Sequence, residues 1–182
     1  MHSNLHLLRY ALPVVIAIAA IEAAVLIFVR KEPYNWKASL ASLGDALARD
    51  FVIKPYLNFS IALPAIVWAV THNIGAVPLN PWLAFLVLFF GQELAYYWFH
   101  RCSHRMRWLW ATHAVHHSPN ELNFSAAYRF GITGGLSGTA LFFVPLLWLG
   151  FPPPAVFGTL GLNLLYQFWL HTNWIPKLGW LE

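Results

Sequence analysis

The sequence predicts an all-α protein, a multi-pass helical membrane domain of about five spans with a histidine-rich cap on the cytoplasmic side. Three observations predict it: an apolar and aromatic composition, five apolar runs near span length, and basic residues that fall almost entirely on one side of the resulting layout. Of 182 residues, 59% are hydrophobic and 10% charged, against about 25% charged in an average soluble domain. So few polar groups cannot cover a water-exposed surface, so lipid is expected to cover it. Ten Trp suit the membrane–water interface, where an amphipathic ring meets both phases. The net charge of +4 is scattered, with no dense basic run, and gives no footprint for nucleic acid. The single cysteine, Cys102, cannot form an internal disulfide. The length fits one domain, residues 1–182.

The first apolar run extends from about Tyr10 to Val29, and about 20 helical residues cross the hydrocarbon core. Its positive charge, Arg30 and Lys31, follows the run, which favours a retained span over a secretory leader. Glu22 inside it is costly in lipid and is expected to face other helices. Residues 31–50 read as an interfacial amphipathic segment, with Leu40, Leu43 and Leu47 at helical spacing. A second span follows from about Phe51 to Thr71, with Pro64 as an expected kink. The loop HNIGAVPLNP (72–81) is rich in breakers. The third span, about Trp82 to Phe99, leads into the first histidine cluster. Spans four (about Phe130 to Leu149) and five (about Ala155 to Leu170) flank GFPPP at 150–154, which makes them an antiparallel hairpin. Ten of the eleven Lys and Arg, all but Arg9, then share one side. By the positive-inside rule that side is cytoplasmic, and the N-terminus lies outside.

Nine histidines accompany only seven acidic residues. His2 and His6 sit in the polar N-terminal tail and His72 in a loop, where solvation explains them. The layout places the other six, His100, His104, His113, His116, His117 and His171, on the cytoplasmic side. His100 and His104 form H-R-C-S-H; four residues of helix separate them by about 40° and about 6 Å, so both reach one ion. His113, His116 and His117 form H-A-V-H-H and occupy about a 100° arc of one helix face. Imidazoles this crowded repel when protonated and lack partners when buried neutral, and a metal resolves both. The plain alternative, histidines solvating the headgroup boundary beside Trp108 and Trp110, leaves that crowding unexplained. Imidazole suits Zn, Cu, Fe and Ni alike, and there is no H-E-x-x-H of a zinc protease. More imidazoles than one tetrahedral ion needs imply two metals.

The stretch ELAYYWFHRCSHRMRWLWATHAVHHSPNELNFSAAYR (93–129), continued by LNLLYQFWLHT (162–172), resembles the fatty acid hydroxylase and sterol desaturase superfamily of membrane histidine-box oxygenases, and within it the alkylglycerol-monooxygenase-like members. The resemblance implies that the six clustered histidines ligate two non-haem irons. It also implies O2-dependent hydroxylation or desaturation of a membrane lipid C–H bond, with electrons from a donor protein of the cytochrome b5, ferredoxin or reductase type. The compartment would be a bacterial inner membrane or the endoplasmic reticulum. Two departures stand out. Some relatives carry His where this chain has Gln167, a poorer ligand suited to supporting a ligand instead. A further H-x-x-H-H box expected downstream is missing before Glu182, so the chain is expected to be truncated, to bind less than its full iron and to be inactive alone.

Supporting residues follow from position. Glu93 lies two helical turns before His100, where it orients a ligand imidazole or makes a plain polar contact between helices. Asn120 and Asn123 fit either support for the ligands or turn formation after Ser118-Pro119, and Arg101 fits a side chain reaching headgroups. The competing function is a membrane zinc hydrolase, for which Glu121 is the only acid close after the boxes. A transporter or haem-carrying subunit ranks third, because paired axial histidines usually come from different spans.

Overall fold

The structure, a computed structural model, describes residues 3–54, 60–75, 79–174 and 179–181, and every regular element among them is helical. His2, residues 55–59 of the second predicted span, 76–78 of the breaker-rich loop, Lys177 and Glu182 lie outside the described residues. Helix α1 (Ser3–Ala24) continues as a π-helical stretch, Val25–Arg30, and ends where Lys31 takes a left-handed conformation (φ 58°) and returns its N–H to Leu26 O. Helix α2 (Trp36–Leu47) is started by Asn35, whose side chain accepts from Ala38 N at 3.1 Å, and it runs on as Ala48–Ile53. Of its leucine stripe Leu40 and Leu47 are exposed and Leu43 is half-buried, while Ser42 and Ala46 are buried. The small residues therefore let α2 approach the rest of the chain.

Helix α3 (Leu63–Thr71) is only nine residues long and follows a turn at Ile61 and Ala62. Pro64 stands in its first turn, not at a kink. A proline costs nothing there, because the first N–H groups of a helix have no partner anyway. Helix α4 (Pro81–Arg105) is 25 residues long, opened by Pro81 and capped by Asn80, whose Oδ1 accepts from Leu83 N at 2.9 Å. It matches the third predicted span and runs on through the first histidine pair. Met106, extended at φ −106° and ψ 123°, stops it, and helix α5 (Arg107–His116) starts anew.

The fourth predicted span, Phe130 to Leu149, is a broken path rather than one helix. It comprises α7 (Gly134–Ser137), a 3-10 turn (Thr139–Phe143) and α8 (Val144–Trp148), preceded by the short α6 (Phe124–Ala127). Gly131 and Gly138 take φ +79° and +77°, a conformation that ends a right-handed helix and suits glycine. Helix α9 (Pro153–Phe168) spans about 24 Å at 1.5 Å per residue, less than the roughly 30 Å hydrocarbon core. Among the described residues, two helices are long and apolar enough to cross a membrane, Ala11–Arg30 and Pro81–Arg105.

Two apolar clusters hold these elements. Ala19, Ala46, Phe124, Ala127, Tyr128 and Phe168 join α1, α2, α6 and α9. Ala69, Leu88, Phe143, Leu146, Leu147 and Val156 join α3, α4, α8 and α9. Glu22, 1% exposed, accepts from Phe124 N and from Thr172 Oγ1, each at 2.6 Å. It turns inward, as the cost of a carboxylate in lipid requires.

Candidate metal centre

The break at Met106 folds α5 back against the end of α4. This brings His113 and His117 onto His100 and His104, with ring centroids of His113 4.8 Å from those of His100, His104 and His117. The Nε2 atoms form a chain of close neighbours: His100 to His104 is 3.1 Å, His104 to His113 is 3.2 Å and His113 to His117 is 3.1 Å. One nitrogen from each of the four lies within 4.8 Å of all the others. Metal–imidazole bonds of about 2.0–2.1 Å place neighbouring ligand nitrogens roughly 2.8–3.4 Å apart, so the spacing fits a shared ion. The ring of His100 is set by packing on Tyr96 and Phe99, since its buried Nδ1 has no hydrogen-bond partner.

His116 and His171 form a second locus. His116 Nδ1 lies 3.0 Å from the Arg129 carbonyl, and His171 Nδ1 lies 2.8 Å from the Gln167 carbonyl. A carbonyl only accepts, so both Nδ1 atoms carry the proton, and in the neutral ring Nε2 then bears a lone pair. Those two Nε2 atoms face each other at 3.2 Å. Two lone pairs at that distance repel unless a cation lies between or beside them. The donor set therefore fits metal at both loci, which lie side by side with the His116 and His117 rings 5.1 Å apart, although His171 comes from 54 residues beyond His117.

Burial and the neighbouring imidazoles push the His113 pKa down to about 3 and that of His116 to about 4; burial also lowers that of His117. Neutral imidazole is the ligand form, so the cluster is ready for metal at pH 7. The same shifts fix a pH dependence. Above the ordinary value of 6.5 both folded and unfolded chains keep these rings neutral. As pH falls below it, the unfolded chain takes up protons that the folded chain refuses until about 4 for His116 and 3 for His113, so stability is lost on acidification. Thermal unfolding of the metal-free protein in detergent should move to lower temperature between pH 7 and pH 5. A midpoint that stays flat over that window would contradict the assignment.

Two spaces adjoin the histidines. A cavity of about 250 Å³, lined largely by apolar groups such as Phe99, Leu109, Phe143 and Leu164, reaches His100, His113 and His116. An open cleft of about 530 Å³ lies on the other side of His100 and His104, with Glu93, Arg101, Arg105 and Gln167 on its walls. Glu93 accepts from Asn163 Nδ2, Asn163 Oδ1 accepts from Gln167 Nε2, and Tyr96 donates to Gln167 Oε1 at 2.9 Å. This network ties α4 to α9 beneath the site, and the hydrogen bond recorded for Glu93 goes to Asn163, not to an imidazole. Gln167 supports His171 through its main-chain carbonyl. Asn123 caps α6, accepting from Ala126 N at 3.1 Å and Ser125 Oγ at 2.7 Å, which is the turn-forming alternative. Arg101 donates to Tyr97. Glu121 accepts from Asn35.

Residues 85–182 match the family model for fatty acid hydroxylase. The chain belongs to the fatty acid hydroxylase family. The fatty acid hydroxylase segment contains all six clustered histidines and begins within α4. The alkylglycerol monooxygenase of Danio rerio is 47% identical over 102 residues, 56% of this chain and 21% of that protein. The alkylglycerol monooxygenases of Homo sapiens and Caenorhabditis elegans are 41% and 31% identical over 57% and 55% of this chain, and 22% and 19% of their own lengths. The chain thus spans about a fifth of the length of these relatives. No solved structure matches it. Two groups that shape this fatty acid hydroxylase site carry no sequence signature: the Asn163 side chain and the Arg129 carbonyl that fixes His116.

Proposed function

We propose that this chain carries the oxidising centre of a membrane lipid monooxygenase or desaturase, with His100, His104, His113, His116, His117 and His171 holding two non-haem irons. The observation that carries this reading is the convergence of six imidazoles in two adjacent loci, one of them a pair of Nδ1-protonated rings with Nε2 atoms facing at 3.2 Å. The bound iron would supply the activation of O2 needed to attack an unactivated C–H bond. The chain's own residues would do the rest. The apolar cavity beside His100, His113 and His116 would admit a lipid chain from the bilayer and keep water away. Tyr96, Asn163 and Gln167 would keep α4, which carries His100 and His104, in register with α9, which leads to His171. An electron donor protein would complete the reaction. The similarity to alkylglycerol monooxygenases favours an ether lipid of glycerol among substrates, and the family favours iron over other metals.

The proposal includes a multi-pass layout with the metal centre on the cytoplasmic face, supported by the one-sided Lys and Arg. A cysteine replacing Asn120 should then react with an impermeant reagent only after the membrane is opened. The zinc hydrolase alternative gains no support, since Glu121 is engaged by Asn35 and the four-histidine group includes no carboxylate. Lipid profiling by mass spectrometry, with and without expression of the complete gene, should reveal an O2-dependent product. Anaerobically purified protein should hold iron. Zinc in place of iron together with a product formed without O2 would overturn the proposal.

A further inference from the structure

The His116–His171 locus is built partly from outside the fatty acid hydroxylase segment. Residues Tyr128 to Gly131 are gripped at three points by α2 and its continuation Ala48–Ile53. Asp45 Oδ2 accepts from Phe130 N and Gly131 N, each at 3.1 Å, and Arg49 Nη1 donates to the Tyr128 carbonyl at 3.1 Å. Arg49 and Asp45 pair at 3.4 Å and are nearly buried, with 14% and 12% of their side chains exposed. The Arg49 guanidinium lies 5.2 Å from the Phe130 ring centroid, and that ring stacks on His116 at 5.6 Å with planes 14° apart. The carbonyl between the Tyr128 and Phe130 anchors, Arg129 O, accepts from His116 Nδ1. Arg129 N donates to the Ala126 carbonyl at 3.2 Å, so the start of the segment is held by its own turn while Asp45 and Arg49 hold it from outside.

We infer that Asp45 and Arg49 are positioning residues for His116: by clamping residues 128–131 they present the Arg129 carbonyl, and that carbonyl fixes the ring as the Nδ1–H tautomer with Nε2 turned toward His171. The metal side of this inference rests on the proposed function; the tautomer side does not. A partner that orients a ligand histidine is worth about 10–100-fold in metal affinity, so that is the size of effect expected at this locus alone. Asp45→Asn should be mild, because one amide oxygen can take the place of Oδ2, which alone receives both backbone N–H groups.

The test uses the 182-residue chain in detergent, with 15N-labelled histidine assigned through His116→Gln and with Co(II) as the metal probe. The wild type and Asp45→Asn should show His116 protonated at Nδ1. Asp45→Ala should show a mixture of tautomers and bind Co(II) about 10–100-fold more weakly at the His116 locus, with the four-histidine group unaffected. An unchanged tautomer in Asp45→Ala, or equal weakening at both loci, would overturn the inference. Should Asp45→Ala fail to fold, Gly131→Ala decides. Gly131 has φ +79°, and an added Cβ would sit 3.3 Å from Val115 Cβ, so the clamp should loosen with the same selective loss. A tautomer change without any Co(II) uptake by the wild type would sustain Asp45 as what fixes the ring and overturn the metal reading instead.

Discussion

Replacing His113 with Ala should abolish lipid oxidation by the complete enzyme while leaving the protein folded and inserted. His113 occupies the centre of the four-histidine group: its Nε2 is within 3.2 Å of His104 Nε2 and within 3.1 Å of His117 Nε2. Removing it breaks the arrangement in the middle, where removing His117 only shortens it at one end. Losing a group that merely orients a ligand costs about 10–100-fold in affinity or activity, so losing the ligand itself should cost more than roughly 100-fold. Stability should move the other way in the metal-free protein. Desolvation and three or more neighbouring imidazoles hold the His113 ring neutral, with its pKa near 3, and relieving that crowding should leave the metal-free unfolding temperature equal or higher, as when a functional group is removed from a strained site. His72→Ala is the matching control, because that exposed ring bonds only locally, to Thr71 and the Trp68 carbonyl. Metal content and product yield read the outcome. An active His113→Ala protein holding its full iron would remove His113 from the ligand set.

The parts of this molecule that were legible in the sequence are those governed by short spacing. Long apolar runs gave the two helices of span length, the first and third predicted spans, because helix length and hydrocarbon thickness are fixed by the same arithmetic. The i, i+4 spacing of His100 and His104, and the arc of His113 to His117, state their own geometry. Where sequence reading departed from the structure, backbone chemistry decided. The run from Phe130 to Leu149 is apolar enough for a helix, but Gly131 and Gly138 are used at positive φ, and hydropathy does not register that. Pro64 read as a kink within a long span, and the structure instead uses it in the first turn of α3. Asp45 and Arg49 were unreadable for a different reason: their partners lie 79 to 86 residues away, and a charge pair four residues apart on an amphipathic helix looks like ordinary surface support. Glu22 falls between these cases. Its cost in lipid announced that it had partners, but not which ones.

Those partners make Glu22→Ala the substitution expected to destabilise the protein most. The carboxylate joins three distant places: α1, the start of α6 through Phe124 N, and the segment after α9 through Thr172 Oγ1, contacts 102 and 150 residues apart in sequence. Alanine would leave a buried N–H and a buried hydroxyl without their acceptor, at about 1–3 kcal/mol each. The sum, roughly 2–6 kcal/mol, is a large part of the typical 5–15 kcal/mol by which a domain is stable. Glu22→Gln should be far milder. Its carbonyl oxygen can still accept from Phe124 N, and its amide can donate to the Thr172 hydroxyl, which is able to reverse its role. Thr172→Val should fall between the two, since it removes one partner and keeps its volume. Because Thr172 directly follows His171, Glu22→Ala should also loosen the His116–His171 pair, whereas Glu22→Gln should not. Thermal unfolding in detergent and steady-state abundance in the membrane measure the order. If Glu22→Ala proves as stable as Glu22→Gln, the carboxylate's two hydrogen bonds are not what ties α1 to the histidine-bearing half of the chain.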